Sequence, residues 1–218
     1  MGLEKAVQRI EWTAEKKLKE LNLCKMGLKE LPLEIVKCRH LIDLELTCNN
    51  ITSIPDMLRQ LPNLRRLSLR NSRITFIPDT FGQLLNLTWL QLGYNDITFI
   101  PDAFGQLLNL RVLNLSNNRI TSIPDALGQL SNLRVLDLGN NEITSIPDAL
   151  GQLSNLRELR LPHNQITEIP EAIRSLKNLE KLDLRGNPPP IPPQVLEQGQ
   201  DDEGCGNLRT ILNLALVN

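Results

Sequence analysis

A chain that coincides with itself after a fixed shift folds as a stack of copies of one unit, because every copy meets the same surroundings. Here the shift is 23 residues: Leu18, Leu41, Leu64, Leu87, Leu110, Leu133, Leu156 and Leu179 are each 23 apart. A second column runs in the same steps from Leu21 to Leu182, and a third from Leu23 to Leu184. These three columns of eight hold 24 of the 44 leucines among 218 residues, whereas aromatic residues make up only 3%. A core of this kind is expected to be one aliphatic environment repeated, with no need of aromatic rings to fill irregular gaps.

The spacing sets the shape of the unit. In Leu-x-x-Leu-x-Leu the last two leucines alternate with one residue and share a face of a short strand. One such strand cannot bury its face alone, so parallel stacking of the copies is expected to build a continuous sheet over a continuous core. Three residues after the third leucine stands Asn49, Asn95, Asn118, Asn141, Asn164 or Asn187, replaced by Met26 and Ser72 in two copies. A carboxamide there offers donors and an acceptor to backbone groups left unpaired by the turn, a structural task. An aliphatic residue follows, then Leu-Pro or Ile-Pro, from Leu31-Pro32 to Ile169-Pro170. Proline fixes φ and removes a donor, and Pro-Asp from Pro55-Asp56 onward marks a tight turn on the far side. Asp56, Asp79, Asp102, Asp125 and Asp148 read as turn or helix-cap groups. The fold class expected is an α/β solenoid: a horseshoe with a parallel concave sheet and short helical or 3-10 turns on the convex side.

The motif LxxLxLxxNxITxIPDxxGQLxNL resembles the bacterial and Ras-group type of leucine-rich repeat, over residues 18–193. Terminal copies need caps. Leu3, Ala6, Val7, Ile10 and Ala14 have helical spacing, so residues 1–17 are expected to form a helical cap, with Trp12 either packed on the first unit or half exposed. Residues 1–218 read as a single domain. The cap leads into eight repeats over 18–193, the last degenerate, then an acidic loop and a C-terminal capping helix over 194–218. The opening LKELNLCKMGLKELPLEI, and the closing LDLRGNPPPIPPQVLE followed by TILN, resemble the edges of the leucine-rich segment of Roco proteins. In that family the segment precedes a Ras-like GTPase and its dimerisation domain. The resemblance implies a regulatory segment acting on a GTPase that lies outside these residues, since they hold no GxxxxGK[ST] phosphate loop.

Charge and cysteine usage narrow the function. Lys and Arg number 24 against 25 Asp and Glu, a net of −1, without the basic excess of a duplex-binding surface. No apolar stretch approaches the roughly 18 residues that cross a bilayer, and MGLEKAVQRIEWTAEKK lacks the apolar run of a secretory signal. The expectation is therefore a cytoplasmic monomer with no nucleic-acid or membrane partner. Cys24, Cys38, Cys48 and Cys205 form no metal-like CxxC pattern and read as reduced thiols, so no cofactor and no metal are expected. His40 reads as a turn residue. His163 is placed on the concave edge near Asp137 and Arg160, with no serine or cysteine set beside it as a nucleophile. The chain is read as non-enzymatic.

With the columns buried, the interleaved positions face outward on the concave sheet. Trp89, Val112 and Val135 make an outward apolar stripe on three consecutive copies, with Tyr94 at the strand end. Gln91, Asn114, Asp137 and Arg160 stand beside the stripe, and His163 beyond it. Exposed aromatics are favoured interface anchors; valine that simply suits a strand is the other reading. The near identity of repeats five and six leaves room for a structural or consensus-like protein without a dedicated partner. Arg66, Arg70 and Arg73 lie beside Glu20, Asp43 and Glu45, as an anion-binding patch or as a lateral Arg66–Asp43 ion pair. Eight copies at about 4.8 Å give a shallow face of roughly 600 Å², close to the roughly 800 Å² per partner of a standard interface. The expected function is binding of a protein partner on this concave face.

Overall fold

The structure, a computed structural model, describes residues 2–188. The loop and capping helix expected over 194–218, and Cys205, lie outside the described residues. Each repeat, or rung, supplies one three-residue strand: β1 (Glu20–Asn22), β2 (Asp43–Glu45), β3 (Arg66–Ser68), β4 (Trp89–Gln91), β5 (Val112–Asn114), β6 (Val135–Asp137), β7 (Glu158–Arg160) and β8 (Lys181–Asp183). They form one parallel sheet in chain order, each residue paired with the one 23 further on, as Glu20 with Asp43 and Trp89 with Val112. The alternation is the one the leucines impose. Leu44, Leu67, Leu90, Leu113, Leu136 and Leu159 at the strand centres are fully buried, and their neighbours face outward except for the buried Ser68 and Asp183.

The chain returns through five-residue 3-10 helices, from Leu33–Lys37 to Glu171–Ser175. Proline occupies each N-cap, with φ running from −58° at Pro32 to −73° at Pro55. Asp56 and its copies therefore begin the helix one place late. None makes a side-chain cap bond, so the turn role expected of these carboxylates holds and the cap role does not. Proline has taken the place from which a carboxylate reaches the orphan amides; Asp56 instead accepts from Thr80 Oγ1. Adjacent helices pack too closely for a side chain at the glycine. A Cβ on Gly128 would lie 2.4 Å from the Ala149 carbonyl oxygen.

Two asparagine columns join the rungs. Asn118 Oδ1 accepts from Ile97 N at 3.0 Å, and its Nδ2 donates to Leu92 O and Leu115 O at 3.1 and 2.9 Å. Each such carboxamide thus bonds its own rung and the one before; Asn95, Asn141, Asn164 and Asn187 do the same. Ser72 is too short for this. Among the described residues its Oγ is buried without a hydrogen-bond partner, and no carboxamide meets the Ile51 amide. The second column, Asn63, Asn86, Asn109, Asn132, Asn155 and Asn178, donates to the carbonyl 24 residues earlier at 2.7–2.9 Å.

The cap α1 (Gly2–Glu15) covers the first rung with Ala6, Ile10 and Thr13 buried. Leu3, expected on the apolar stripe, is 59% exposed. Contact runs along i, i+4 and i+7 from Ala6. In the first turn it is Gly2, whose Cβ would lie 2.0 Å from Met26 O, that meets the rung while Leu3 points away. Of the two placements open to Trp12 the exposed one is found, at 55%. His40 lies in a turn, as expected, and its Nε2 meets Thr13 O at 3.2 Å. The core does take aromatic rings, contrary to expectation. Phe81 and Phe104, where later rungs carry Leu127 and Leu150, are buried with ring centroids 5.5 Å apart. Rings on successive rungs fill that space as a pair.

Candidate partner-binding face

Trp89, Val112 and Val135 stand in register on β4, β5 and β6, each half-buried beside a fully buried leucine. Arg66 on β3 extends the row: its guanidinium lies over the Trp89 ring at 4.7 Å, and its Nε meets Asp43 Oδ2 at 2.9 Å. The lateral ion pair is formed, and the same cation stacks on the indole. Burial pushes the Asp43 carboxyl above its ordinary range; Arg66 opposes this, while Glu45 and Glu20 push the same way.

At the strand ends one residue per rung adopts a left-handed backbone. Lys25, Cys48, Asn71, Tyr94, Asn117, Asn140 and His163 have φ between 54° and 59°. Asparagine tolerates this region, whereas other residues held there are strained by about 1–3 kcal/mol. Tyr94 sits there with 46% of its surface exposed, and the Arg70 guanidinium lies over its ring at 4.7 Å. The clue in the sequence was a tyrosine at a position that three other rungs give to asparagine. No hydrogen bond links His163 to Asp137 or Arg160 among the described residues. The imidazole lies against the next rung, where a Cβ on Gly186 would be 2.3 Å from its Nδ1.

The remaining face residues differ in what already occupies them. Gln91 is half-buried on β4. Asn114 Oδ1 accepts from Ser116 N and Oγ at 2.9 and 2.8 Å, and Asp137 Oδ1 accepts from Gly139 N at 3.1 Å. These are side chains that hold the end of their own strand. Arg160 bonds Glu158 and lies 3.7 Å from Asp137 Oδ2, with its Nε buried and without a partner among the described residues. On the last rung Arg185 forks onto Asp183, Nε to Oδ1 at 2.9 Å and Nη2 to Oδ2 at 2.7 Å. Burial pushes the Asp183 carboxyl up, but the hydrogen bonds and charge of Arg185 outweigh it and hold the carboxyl below its ordinary range.

Away from the concave sheet Phe76 and Phe99 are exposed with ring centroids 5.6 Å apart, and Leu85 and Leu108 are exposed as well. A trough of about 1210 Å³ crosses the convex side, floored by Ala103, Ala126 and Ala149 and walled by Gln83, Gln106 and Gln129. Its lining runs over four rungs and carries Thr80 where the later three have alanine, with the exposed Phe99 at one side. Cys24, Cys38 and Cys48 are free thiols. Burial foremost pushes Cys24 and Cys38 up, with the Glu45 charge adding at Cys24, the direction that weakens a nucleophile. Among the described residues no group of His, Cys, Asp and Glu is placed to hold a metal, and no helix is long and apolar enough to cross a membrane.

The leucine rich repeat family model matches residues 16–74, 62–120, 108–166 and 132–188. Among solved structures, an LRR protein of Leptospira interrogans is 34% identical with a TM-score of 0.72, over 85% of this chain and 52% of that one. The LRR ectodomain of the plant membrane receptor kinase GASSHO1/SCHENGEN3 from Arabidopsis thaliana, in complex with CASPARIAN STRIP INTEGRITY FACTOR 2, is 36% identical. Its TM-score is 0.67, over 72% of this chain and 20% of that one. The plant peptide hormone receptor RGFR1, in complex with RGF2, is 32% identical with a TM-score of 0.69, over 80% of this chain and 29% of that one. This chain thus spans between a fifth and about half of the length of these structures. No curated protein matches the sequence.

Proposed function

We propose that this chain, which belongs to the leucine-rich repeat family, is a non-catalytic scaffold that binds another protein on its concave sheet. Leucine-rich repeats generally mediate protein–protein interaction, and two of the similar structures are complexes of receptors with the ligands their names carry. The observation that carries the reading is the row Arg66–Trp89–Val112–Val135, an in-register band of indole and aliphatic surface on an otherwise polar sheet. Trp89 is the anchor, flanked by Arg70, Tyr94 and Gln91. Asn114, Asp137, Arg160 and His163 form the far margin, where their side chains already serve their own rungs or the next. The repeats are of the bacterial and Ras-group type, and the chain acts as a cytoplasmic monomer; free thiols at Cys24, Cys38 and Cys48 support a reducing compartment.

The test is a photo-crosslinking amino acid placed at Gln91, or at Gln129 on the convex side, in protein incubated with extract of its native host. Adducts form from position 91 and are lost with Trp89→Ala plus Val112→Glu. Equal adducts from both positions, or adducts indifferent to that pair of substitutions, overturn the reading. A second reading, a regulatory segment of a Roco-type GTPase, is supported by the helix-then-rung opening formed by α1 and β1. A coding sequence that runs on past Asn218 into a phosphate loop would favour it.

A further inference from the structure

We infer that Arg70 reads an acidic side chain in an extended segment of the partner, with apolar residues of that segment laid over Trp89, Val112 and Val135. This rests on the concave-face reading above and adds the chemistry of the occupant.

Four arginines on the concave side separate into two kinds. Arg66 is paired with Asp43, Arg160 with Glu158 and Asp137, and Arg185 with Asp183. Arg70 meets no carboxylate among the described residues; its guanidinium lies over the exposed ring of Tyr94. The reason is local. Arg185 finds its carboxylate two residues back, whereas the residue two before Arg70 is Ser68, whose hydroxyl is 2.7 Å from Thr47 Oγ1. Stacking restrains the guanidinium while leaving its N–H fork for a planar acceptor. The tyrosine beneath it is held at a φ of 58° that sister rungs give to Asn71, Asn117 and Asn140. A strained aromatic that positions an uncompensated cation on an open face is an arrangement for reading an anion.

The surroundings of Arg70 describe the rest of the segment. Toward the higher rungs lies the apolar row, at the strand starts and not at the strand ends where Arg70 and Tyr94 sit. The segment therefore crosses the face diagonally. Toward the first rungs stand Glu20 and Glu45, whose carboxylates meet no Lys or Arg among the described residues; Glu45 accepts only from Thr47 and Cys24. The face continues on both sides of Arg70, so an occupant passes over it, and the carboxylate belongs to a side chain instead of a chain end. An Asp or Glu with apolar residues on one side and Lys or Arg on the other matches the three patches in order. At about 3.3 Å per extended residue and about 4.8 Å per rung, the apolar row takes roughly three or four residues.

A phage-displayed library of random dodecapeptides selected against the full chain tests this. Enriched peptides are expected to carry an acid between an apolar and a basic flank. For the tightest synthetic peptide, Arg70→Gln weakens binding about tenfold or more, the scale of a lost charge-assisted hydrogen bond. Replacing the peptide's acid by its amide costs the wild type the same factor and R70Q almost nothing. Arg70→Lys, which keeps charge without the fork, falls between and serves if R70Q fails to fold by circular dichroism. Additive losses for Arg70→Gln and the amide overturn the inference; so do tight peptides without an acid, or binding lost on amidating the peptide's C-terminus. In each of those cases continued sensitivity to Trp89→Ala leaves the concave-face reading standing. Peptides indifferent to both Trp89→Ala and Arg70→Gln, or no enrichment at all, overturn both.

Discussion

Rungs 3 and 8 place an arginine at the same point after the third leucine, Arg70 and Arg185, on strands of the same length in the same sheet. Arg185 forks onto Asp183 and is spent within its own rung. Arg70 has the buried Ser68 where rung 8 has that aspartate, and it turns to the ring of Tyr94 on the next rung. The rungs also differ underneath. Asn187 ties rung 8 to rung 7 through Ile166 N and Leu161 O, while Ser72 leaves the matching position of rung 3 unfilled. One backbone therefore supports a self-contained rung and an open one, and the open rung borders the apolar row. What distinguishes a place to bind from a place that merely looks charged is whether the charge is already answered.

That contrast can be broken from either side. Asn187→Ser should make rung 8 resemble rung 3 in its interior; leaving Ile166 N and two carbonyls short is expected to cost about 3 kcal/mol in denaturant unfolding. A change below about 0.5 kcal/mol would mean the ladder contributes little. Asp183→Asn keeps shape but removes a charge-assisted fork, about 1.5 kcal/mol at neutral pH. The sign with pH is set by the depressed carboxyl. Its contribution is present above the unfolded value near 3.9 and is lost as pH falls through the lower folded value. The gap between wild type and D183N in urea should therefore close on acidification. Asp43, pushed upward by burial, has the opposite slope: its contribution is lost as pH rises through its raised value.

Ser68→Asp carries the comparison to function. It gives Arg70 the partner that Arg185 has, and binding of an acidic peptide selected on the wild type should fall about tenfold in protein shown to be folded by circular dichroism. Unchanged affinity would show that Arg70 is not the reader. The smallest effect is expected from Ser72→Asn, which supplies the missing carboxamide beneath the open rung and should raise stability by about 1 kcal/mol, seen as a higher melting temperature.

Much of the fold was legible because a repeat sets each residue against its own copies. Period, parallel register, inward leucines and the buried carboxamides follow from residues 23 apart, and the stripe Trp89, Val112 and Val135 lies in register as its spacing requires. The failures came where a side chain reaches off its own rung. Helical spacing puts Leu3 on the cap stripe, but the buried residues of the helix are Ala6, Ile10 and Thr13. The spacing of the repeat also says nothing of the close approach of His163 to Gly186 on the next rung. Phe81 and Phe104 were not expected in the core, because nothing in either repeat alone shows that two rings will stack.

Residue order alone was enough for the architecture of the sheet and for which positions face outward, since backbone periodicity is local and the hydrophobic pattern has a single consistent solution. Which outward charges are answered needed the folded molecule. Asp43 meets Arg66 and Tyr94 meets Arg70 across rungs, over distances of about 3 to 5 Å between residues about a full repeat apart. Side-chain direction and strand-end twist decide such meetings, and neither is written in the spacing of leucines.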